Sequence, residues 1–227
     1  MSQEYLDKLT NEDNNLLKDA LVKICQCLEK YNDIERNELE VEFRFGYLTN
    51  DAFNSEVSEI FYKKILGHLT DSNLKQISKE TLDSFSGGIR KSKDISKNRS
   101  TFMKKEKLAT LDFSLTNTPF DIRVSISREI KMSSKDFSEK SISFQRNKDR
   151  LSFLHKAWSY DLTRIKYDDN GLSKEIFEVE LEVSISHKDL NYLIHSSLLK
   201  VKDLALFCEN ENEEKQFLLI NEKIHHI

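Results

Sequence analysis

A chain of 227 residues with 38% hydrophobic and 33% charged residues can bury one substantial core, and its five glycines and one proline exclude a collagen-like or low-complexity chain. The net charge of −4 conceals a basic middle, because residues 86–166 carry 19 Lys and Arg against 9 Asp and Glu. Three cysteines without zinc-type spacing exclude a disulfide framework and a Cys/His metal site, and no signal peptide or membrane-spanning apolar run is present, so we expect a soluble intracellular protein that contacts no membrane.

The first 70 residues are predicted to contain two helices and one strand. Residues 11–31 carry an apolar stripe at helical spacing, and residues 54–69 carry another. Between them, residues 38–46 alternate strictly between charged and apolar side chains, which is the period of a strand with one buried face. We expect both helices to support the outside of the fold and assign them no chemistry.

Strand patterns then continue through most of the chain, separated by turn signals such as Ser86-Gly87-Gly88. The seven further predicted strands cover residues 74–84, 88–93, 99–108, 120–130, 143–154, 157–166 and 174–186. Ser186 and Asp189 are typical of a capping box that opens a helix through residue 199, and the chain ends with an acidic turn over 209–214 and a mixed apolar stretch. We therefore predict a β-rich α+β fold, a closed and mainly antiparallel eight-stranded β-barrel with a polar interior and outer helices, as a single domain over residues 1–227.

Two of these strands carry rows of carboxylates. One face of the first strand holds Glu38, Glu40, Glu42 and Arg44, and one face of the last holds Glu178, Glu180 and Glu182. Same-face neighbours lie about 6.6 Å apart, and two carboxylates at that spacing repel by about 2 kcal/mol at an effective dielectric constant of about 20. Either water or a bound cation would relieve this repulsion, and the two strands side by side would place up to six carboxylates on one surface.

Basic residues form a similar row on the strand over 143–154. Arg146, Lys148 and Arg150 share one face there, and three like charges so close together require an anion or facing carboxylates to compensate them. Phosphate is a suitable anion, because a guanidinium group can donate two hydrogen bonds to its oxygens. Polar residues on neighbouring strands could face the same way: Arg90, Lys104, Arg123, Asp161 and Thr163.

Each charged row alone is typical of a solvated strand face. Together they favour another interpretation, because the apolar faces of the same strands must pack against the outer helices. The charged faces then point inward and towards each other. A closed ring of strands with carboxylates on one side and Arg and Lys on the other would hold a metal-bound polyphosphate.

These motifs resemble the triphosphate tunnel metalloenzymes, specifically the metal-dependent RNA triphosphatases of fungal and large-DNA-virus mRNA capping. The first strand matches E-x-E-x-[KR]-x-G over residues 40–46, and the last matches E-x-E-x-E over 178–182. R-x-K-x-R over 146–150 and D-x-T over 161–163 lie between them in the family's order. One departure is Ser159, where the family often has an arginine, and Arg164 or Arg90 is the candidate to replace it.

The resemblance implies roles for the charged residues. As ligands of Mg²⁺ or Mn²⁺ it implies Glu40, Glu42, Glu180 and Glu182. As catalytic residues it implies Glu178, which would position water or a basic side chain, with Arg123, Arg146, Lys148, Arg150 and Asp161. The triphosphate would be bound by the same Arg and Lys residues together with Arg44, Arg90, Lys104 and Thr163.

The implied activity is hydrolysis of the γ-phosphate of 5′-triphosphate RNA to a 5′-diphosphate end, the first step of mRNA capping. One alternative is a tunnel-fold hydrolase of free nucleoside triphosphates, inorganic triphosphate or thiamine triphosphate. Another is a non-catalytic nucleic-acid-binding β-barrel, which the paired acidic strands disfavour because carboxylates repel a phosphate backbone. Few aromatic residues lie beside the basic residues on the same strand faces, so the sequence does not predict a base-stacking platform.

The implied partners are the 5′-triphosphate end of nascent RNA, nucleoside triphosphates and a guanylyltransferase. The guanylyltransferase would be a separate protein, or a second domain of a larger capping enzyme whose amino-terminal domain is this chain. The implied location is the nucleus or a cytoplasmic viral factory.

Overall fold

The structure is a computed structural model that describes residues 12–50, 52–115, 118, 120–185, 189–206 and 217–225. The helices in this part of the chain are α1 (Glu12–Glu29), α2 (Glu59–Thr70) and α3 (Leu190–Leu206). The strands are β1 (Leu39–Thr49), β2 (Ala52–Asn54), β3 (Lys75–Ser86), β4 (Ile89–Asp94), β5 (Arg99–Leu115), β6 (Asp121–Lys131), β7 (Phe144–His155), β8 (Trp158–Asp169), β9 (Leu172–Val183) and β10 (Phe217–Ile224). Two 3-10 turns, Ser134–Asp136 and Glu139–Ser141, connect β6 to β7.

Eight of these strands close into an antiparallel barrel. They are hydrogen-bonded in the order β5-β4-β3-β7-β8-β9-β1-β6, and β6 pairs with β5 to complete the ring. All eight are predicted from the sequence, and the closed β-barrel is confirmed. Two shorter strands lie outside the ring. Strand β2 pairs with the end of β1, and β10 pairs with the end of β5. Neither β2 nor β10 is predicted from the sequence.

Helix α2 begins at Glu59 rather than near residue 54, where the apolar pattern places its start. Ser58 caps it, because its side-chain oxygen accepts a hydrogen bond from the Phe61 amide at 3.2 Å. Helix α3 begins at Leu190, and the Asp189 carboxylate accepts a hydrogen bond from the Asn191 amide at 2.9 Å. The predicted partner Ser186 and the acidic turn over 209–214 lie outside the described residues. None of the helices in the described ranges combines the length and apolar character needed to cross a bilayer.

The hydrophobic core lies between the outer face of the barrel and the helices. Val41, Phe43 and Phe45 of β1 and Leu181 of β9 are fully buried in it, and α2 and α3 pack against β9. Successive side chains of a strand point to opposite faces, so burying these odd-numbered residues outside turns the even-numbered charged residues inward. The core therefore determines which side chains line the barrel.

Candidate active site

The barrel encloses a cavity of about 510 Å³ whose wall is mostly charged. Its acidic lining residues are Glu40, Glu42, Glu129, Glu178 and Glu182. Its basic lining residues are Arg44, Arg90, Lys105, Lys107, Arg123, Arg146, Lys148 and Arg150. The acidic strands β1 and β9 are direct neighbours, with Glu42 opposite Glu182 and Arg44 opposite Glu180. The predicted pairing of the two glutamate rows inside a closed barrel is confirmed.

Glu180 is buried between two guanidinium groups. Its Oε1 lies 2.7 Å from Arg44 Nε and its Oε2 lies 3.2 Å from Arg150 Nη2. Burial alone would raise the pKa of this carboxyl, but Arg44 and Arg150 outweigh it and lower the pKa to about 2. Glu180 is therefore ionised, and it joins the acidic strand β9 to the basic strand β7.

Lys105 of β5 bridges the two glutamates of β1. Its Nζ lies 2.7 Å from Glu40 Oε2 and 2.7 Å from Glu42 Oε1. Burial disfavours its charge, yet the adjacent Glu42 and Glu40 raise its pKa. A cation that approached these glutamates would compete with the Lys105 ammonium.

The prediction that Lys104 faces the substrate is wrong by one residue. Lys104 is 44% exposed on the other face of β5, where its ammonium pairs with Glu106 at 2.8 Å. Because side chains alternate, its neighbours Lys105 and Lys107 face the cavity instead. The segment 104–107 reads Lys-Lys-Glu-Lys, with a cation in either register, so alternation alone does not identify the inward face.

Glu182 differs from the other glutamates because no hydrogen bond or ion pair links it to another described residue. Burial and the nearby Glu40 and Asp161 raise its pKa to about 8. The pKa of Glu40 is also raised, by burial and by Glu42. Carboxylate oxygens are the ligands that hard divalent cations prefer, and a bound cation would relieve the repulsion between these carboxylates.

Within the described residues, no three acidic, histidine or cysteine side chains converge on one point as a metal-binding group. The contacts already given explain this arrangement. Lys105 holds Glu40 and Glu42, and Arg44 and Arg150 hold Glu180. The oxygen donors are thus present on two adjacent strands, but their negative charge is neutralised by basic side chains of the barrel.

Three cavity arginines are each positioned by a buried aspartate. The pairs are Arg123 with Asp112 at 2.6 Å, Arg146 with Asp83 at 3.6 Å and Arg150 with Asp161 at 2.7 Å. All three aspartates are buried. These ion pairs fix the direction of the guanidinium groups before any ligand arrives, which is the arrangement expected of a preorganised anion site.

Lys148 lacks such a partner. It is 8% exposed and lines the cavity, and it makes no hydrogen bond or ion pair to any residue that the structure describes. Burial and the adjacent Arg150 lower its pKa to about 8. A bound anion would stabilise the ammonium form of this side chain.

Asp161 and Thr163 lie behind Arg150 rather than in the cavity wall. Thr163 is fully buried and its Oγ1 accepts a hydrogen bond from Arg150 Nε at 3.1 Å. Ser159 donates its hydroxyl to Asp161 Oδ1. These three residues therefore position Arg150, and the predicted direct contact of Thr163 with the triphosphate is not supported.

Of the two arginines considered for the Ser159 position, Arg90 faces the cavity and Arg164 does not. Arg90 pairs with Glu129 at 3.3 Å, whereas Arg164 pairs with Asp149 at 2.9 Å on the outer surface. Arg164 is on the outside because it lies one residue beyond the inward-pointing Thr163.

Glu178 lines the cavity, and its Oε1 accepts a hydrogen bond from Ser55 Oγ at 2.7 Å. Ser55 and Phe53 come from the β2 segment and are not predicted from the sequence. Phe53 packs its ring 4.6 Å from the Arg123 guanidinium. No local sequence pattern predicts that Ser55 and Phe53 line the cavity, because their position depends on the pairing of β2 with β1.

The basic residues of β7 point into the barrel rather than out of it. This placement argues against a barrel that binds nucleic acid on its exterior. A metal-bound polyphosphate entering the cavity would find acidic and basic partners on facing walls.

Comparisons with known proteins identify this architecture. The fold is similar to the S. pombe Pct1 RNA triphosphatase, with a TM-score of 0.74 and 20% identity over 85% of this chain and 94% of that chain in the structure of its complex with the Spt5 CTD. A second structure of Pct1 gives a TM-score of 0.72 at 20% identity, over the same shares of the two chains. No curated protein matches the sequence. The family model of the mRNA capping enzyme beta chain matches residues 61–197, more than half of the chain. The chain therefore belongs to the family of mRNA capping enzyme beta chains, the mRNA triphosphatases.

Proposed function

We propose that the chain removes the γ-phosphate from 5′-triphosphate RNA with the help of a divalent cation, Mg²⁺ or Mn²⁺, and leaves a 5′-diphosphate end for capping. The observation that carries this proposal is the cavity itself, in which glutamates of β1 and β9 face Lys and Arg of β7. A triphosphate with a bound cation has complementary groups for both walls, whereas a neutral ligand has none.

The cation would be held by Glu40 and Glu42 of β1 and by Glu182 of β9, together with Glu180 of β9. When bound, it would neutralise the γ-phosphate oxygens and make the phosphorus more electrophilic. Oxygen-only ligands of this kind suit Mg²⁺ and Mn²⁺ better than softer metals.

The basic residues would bind the phosphate oxygens and neutralise their charge. Phosphoryl transfer depends mainly on positioning and electrostatic stabilisation, so fixed cations are the chief requirement. Arg123, Arg146 and Arg150 are fixed by their aspartates, and Lys148 is free to pair with the substrate. Arg90 of β4, Lys107 of β5 and Arg44 of the acidic strand β1 add positive charge to the same cavity.

Glu178 is the residue that we assign to the attacking water. It lies in the cavity wall, and the hydroxyl of Ser55 holds one of its oxygens. A carboxylate held in this way can accept a hydrogen bond from a water molecule and so direct a lone pair of the water oxygen towards phosphorus. Asp161 and Thr163 act indirectly, by orienting Arg150.

The test is phosphate release from triphosphate-ended RNA, from a free nucleoside triphosphate and from inorganic triphosphate, each with Mg²⁺, with Mn²⁺ and with a chelator. We expect release only with metal, and its near-complete loss in Glu42→Ala. Glu80→Ala is the matched control, because Glu80 is exposed on the outward face of β3. Release that continues in the chelator, or turnover of Glu42→Ala within about tenfold of the parent, roughly 1.4 kcal/mol in barrier, would refute the metal assignment.

We also propose that the diphosphate product passes to a guanylyltransferase, as a separate protein or a further domain, in the nucleus or a cytoplasmic viral factory. Pct1, which has a similar fold, forms a complex with the Spt5 CTD, so a protein of this fold can bind a protein partner. RNA treated with this chain should then accept a guanylate from a guanylyltransferase, while untreated triphosphate RNA should not.

A further inference from the structure

A row of three aromatic rings crosses three adjacent strands at one end of the barrel. The Phe85 and Phe144 centroids are 5.9 Å apart with 37° between the ring planes, and the Phe144 and Tyr167 centroids are 5.7 Å apart at 65°. Phe85 and Phe144 are direct cross-strand partners of β3 and β7. We call these three residues the aromatic ledge.

The ledge is continuous with the phosphate-binding cavity. Phe85 lines that cavity, and the Arg146 guanidinium lies 5.3 Å from its ring centroid. Phe144 is two residues from Arg146 on β7, so both side chains are on the inward face of the strand. The basic row of β7 therefore ends in an aromatic residue at the mouth of the barrel.

The ledge is not part of the hydrophobic core. The core lies on the outer face of the barrel, under the helices, whereas Phe144 is 40% exposed. An exposed ring at the mouth of a charged cavity contributes little to folding. Its flat face can receive another flat, weakly polar group.

We propose that the aromatic ledge stacks the unpaired nucleobases at the 5′ end of the RNA substrate and so gives RNA preference over inorganic triphosphate. This inference rests on the proposed function. Phe144 is six residues along β7 from Arg150, about 20 Å of strand, and two residues beyond Arg146, so the ledge borders the outer end of the basic row that would hold the triphosphate. The groups attached to the α-phosphate are what can reach it. Stacking on an aromatic side chain tolerates any base, which suits an enzyme that acts on many transcripts.

The sequence does not predict this platform because it is assembled across strands. Each of β3, β7 and β8 contributes one ring, so no single strand shows an aromatic pattern. Only the register of the β3–β7 ladder brings Phe85 opposite Phe144.

The experiment compares KM for triphosphate-ended single-stranded RNA with KM for inorganic triphosphate in three variants of the intact chain. Phe144→Leu keeps an apolar side chain but removes the π-face, and Phe144→Tyr keeps the ring. Ile60→Ala is the control for losing an exposed apolar side chain, since Ile60 is 72% exposed on α2. We expect Phe144→Leu to raise the KM for RNA relative to that for inorganic triphosphate by about fivefold or more, the lower limit of one base–aromatic stack, while Phe144→Tyr and Ile60→Ala keep the parent ratio.

An unchanged ratio in Phe144→Leu would overturn the inference, and so would a parallel rise for both substrates, which would mean that the change acts through Arg146. A second readout is independent of turnover: a fluorescent base analogue near the RNA 5′ end should be quenched on binding to the parent and less so on binding to Phe144→Leu. If the parent hydrolyses neither substrate, the proposed function fails, and equal quenching in both proteins would separately refute the ledge.

Discussion

Replacing Lys148 by methionine should strengthen the fold and weaken catalysis. Lys148 is 8% exposed and has no hydrogen-bond or ion-pair partner among the described residues. The charged groups that surround it are Arg150 and Arg146, which repel its ammonium, and Glu180 and Glu178, which attract it. Methionine has a similar length and no charge, so it removes the unfavourable group without leaving a large cavity.

The magnitude follows from the pKa. Burial and Arg150 lower the pKa of Lys148 from 10.5 to about 8, and a drop of about 2.5 at about 1.4 kcal/mol per unit is roughly 3 kcal/mol of folding free energy. We expect Lys148→Met to raise the free energy of unfolding by about 1–3 kcal/mol at pH 7. Losing a charged hydrogen bond to phosphate costs about 1.5–3 kcal/mol, so kcat/KM should fall by roughly 10- to 150-fold.

The sign of the pH dependence distinguishes this explanation from a packing effect. The unfolded chain keeps the ordinary pKa of 10.5, so between pH 8 and 10.5 it binds more protons than the folded chain, and the parent becomes more stable as pH rises. The stability gain of Lys148→Met should therefore be full below pH 8 and fade towards pH 10.5. In parallel, kcat/KM of the parent should decline above about pH 8, and Lys148→Arg should shift that decline to higher pH.

Urea unfolding at several pH values, without divalent cation or phosphate, measures the free energy of unfolding of the parent and of Lys148→Met. Steady-state phosphate release measures kcat/KM. A Lys148→Met variant that is less stable than the parent at pH 7 would contradict the reasoning. So would a stability gain that is constant from pH 7 to pH 10, or an unchanged kcat/KM.

Four further outcomes follow from the structure. Glu180→Ala removes a buried carboxylate that Arg44 and Arg150 share, while Arg44 keeps Glu42 and Arg150 keeps Asp161, so it should cost about 1.5–3 kcal/mol in urea unfolding as well as activity. Glu182→Gln should abolish metal-dependent turnover while the unfolding free energy stays within about 1 kcal/mol of the parent, because no contact with the described residues depends on its charge. In Gly46→Ala, the new methyl group would overlap the Asn54 carbonyl oxygen and the Phe53 ring, so we expect a loss of about 1–3 kcal/mol by thermal or urea unfolding. Titration calorimetry with a non-hydrolysable triphosphate should show that Mg²⁺ and the triphosphate each tighten the other's binding by about tenfold or more, and independent binding would contradict the proposed site.

The barrel and its charged rows could be predicted because their signal is local. Alternation with period two needs only the neighbours along one strand, and it places Glu40 and Glu42 correctly on the face opposite Val41 and Phe43. The distance between neighbouring same-face residues is then fixed by strand geometry alone. The four glutamates predicted on β1 and β9 therefore lie on the inward faces of two neighbouring strands.

The contacts between strands could not be predicted, because they depend on register and on distant segments. Asp83 reaches Arg146 only because β3 pairs with β7, and the sequence separation gives no hint of it. Lys105 rather than Lys104 faces the cavity because the pattern of β5 permits either register. The aromatic ledge has the same origin as these contacts.

The charges inside the barrel explain why the cavity favours a metal-bound triphosphate over either component alone. Most inward-facing groups neutralise each other within the fold, as Glu180 does with Arg44 and Arg150. Among the described residues, the cavity-lining Lys107, Lys148 and Glu182 have no hydrogen-bond or ion-pair partner, so basic and acidic groups both remain for a ligand. A free triphosphate would satisfy Lys148 but leave Glu182 protonated and without a partner, and a free divalent cation would bind the Glu182 carboxylate but repel Lys148. Only a ligand that carries both signs of charge stabilises both side chains, so the unpaired groups select the complex as a whole.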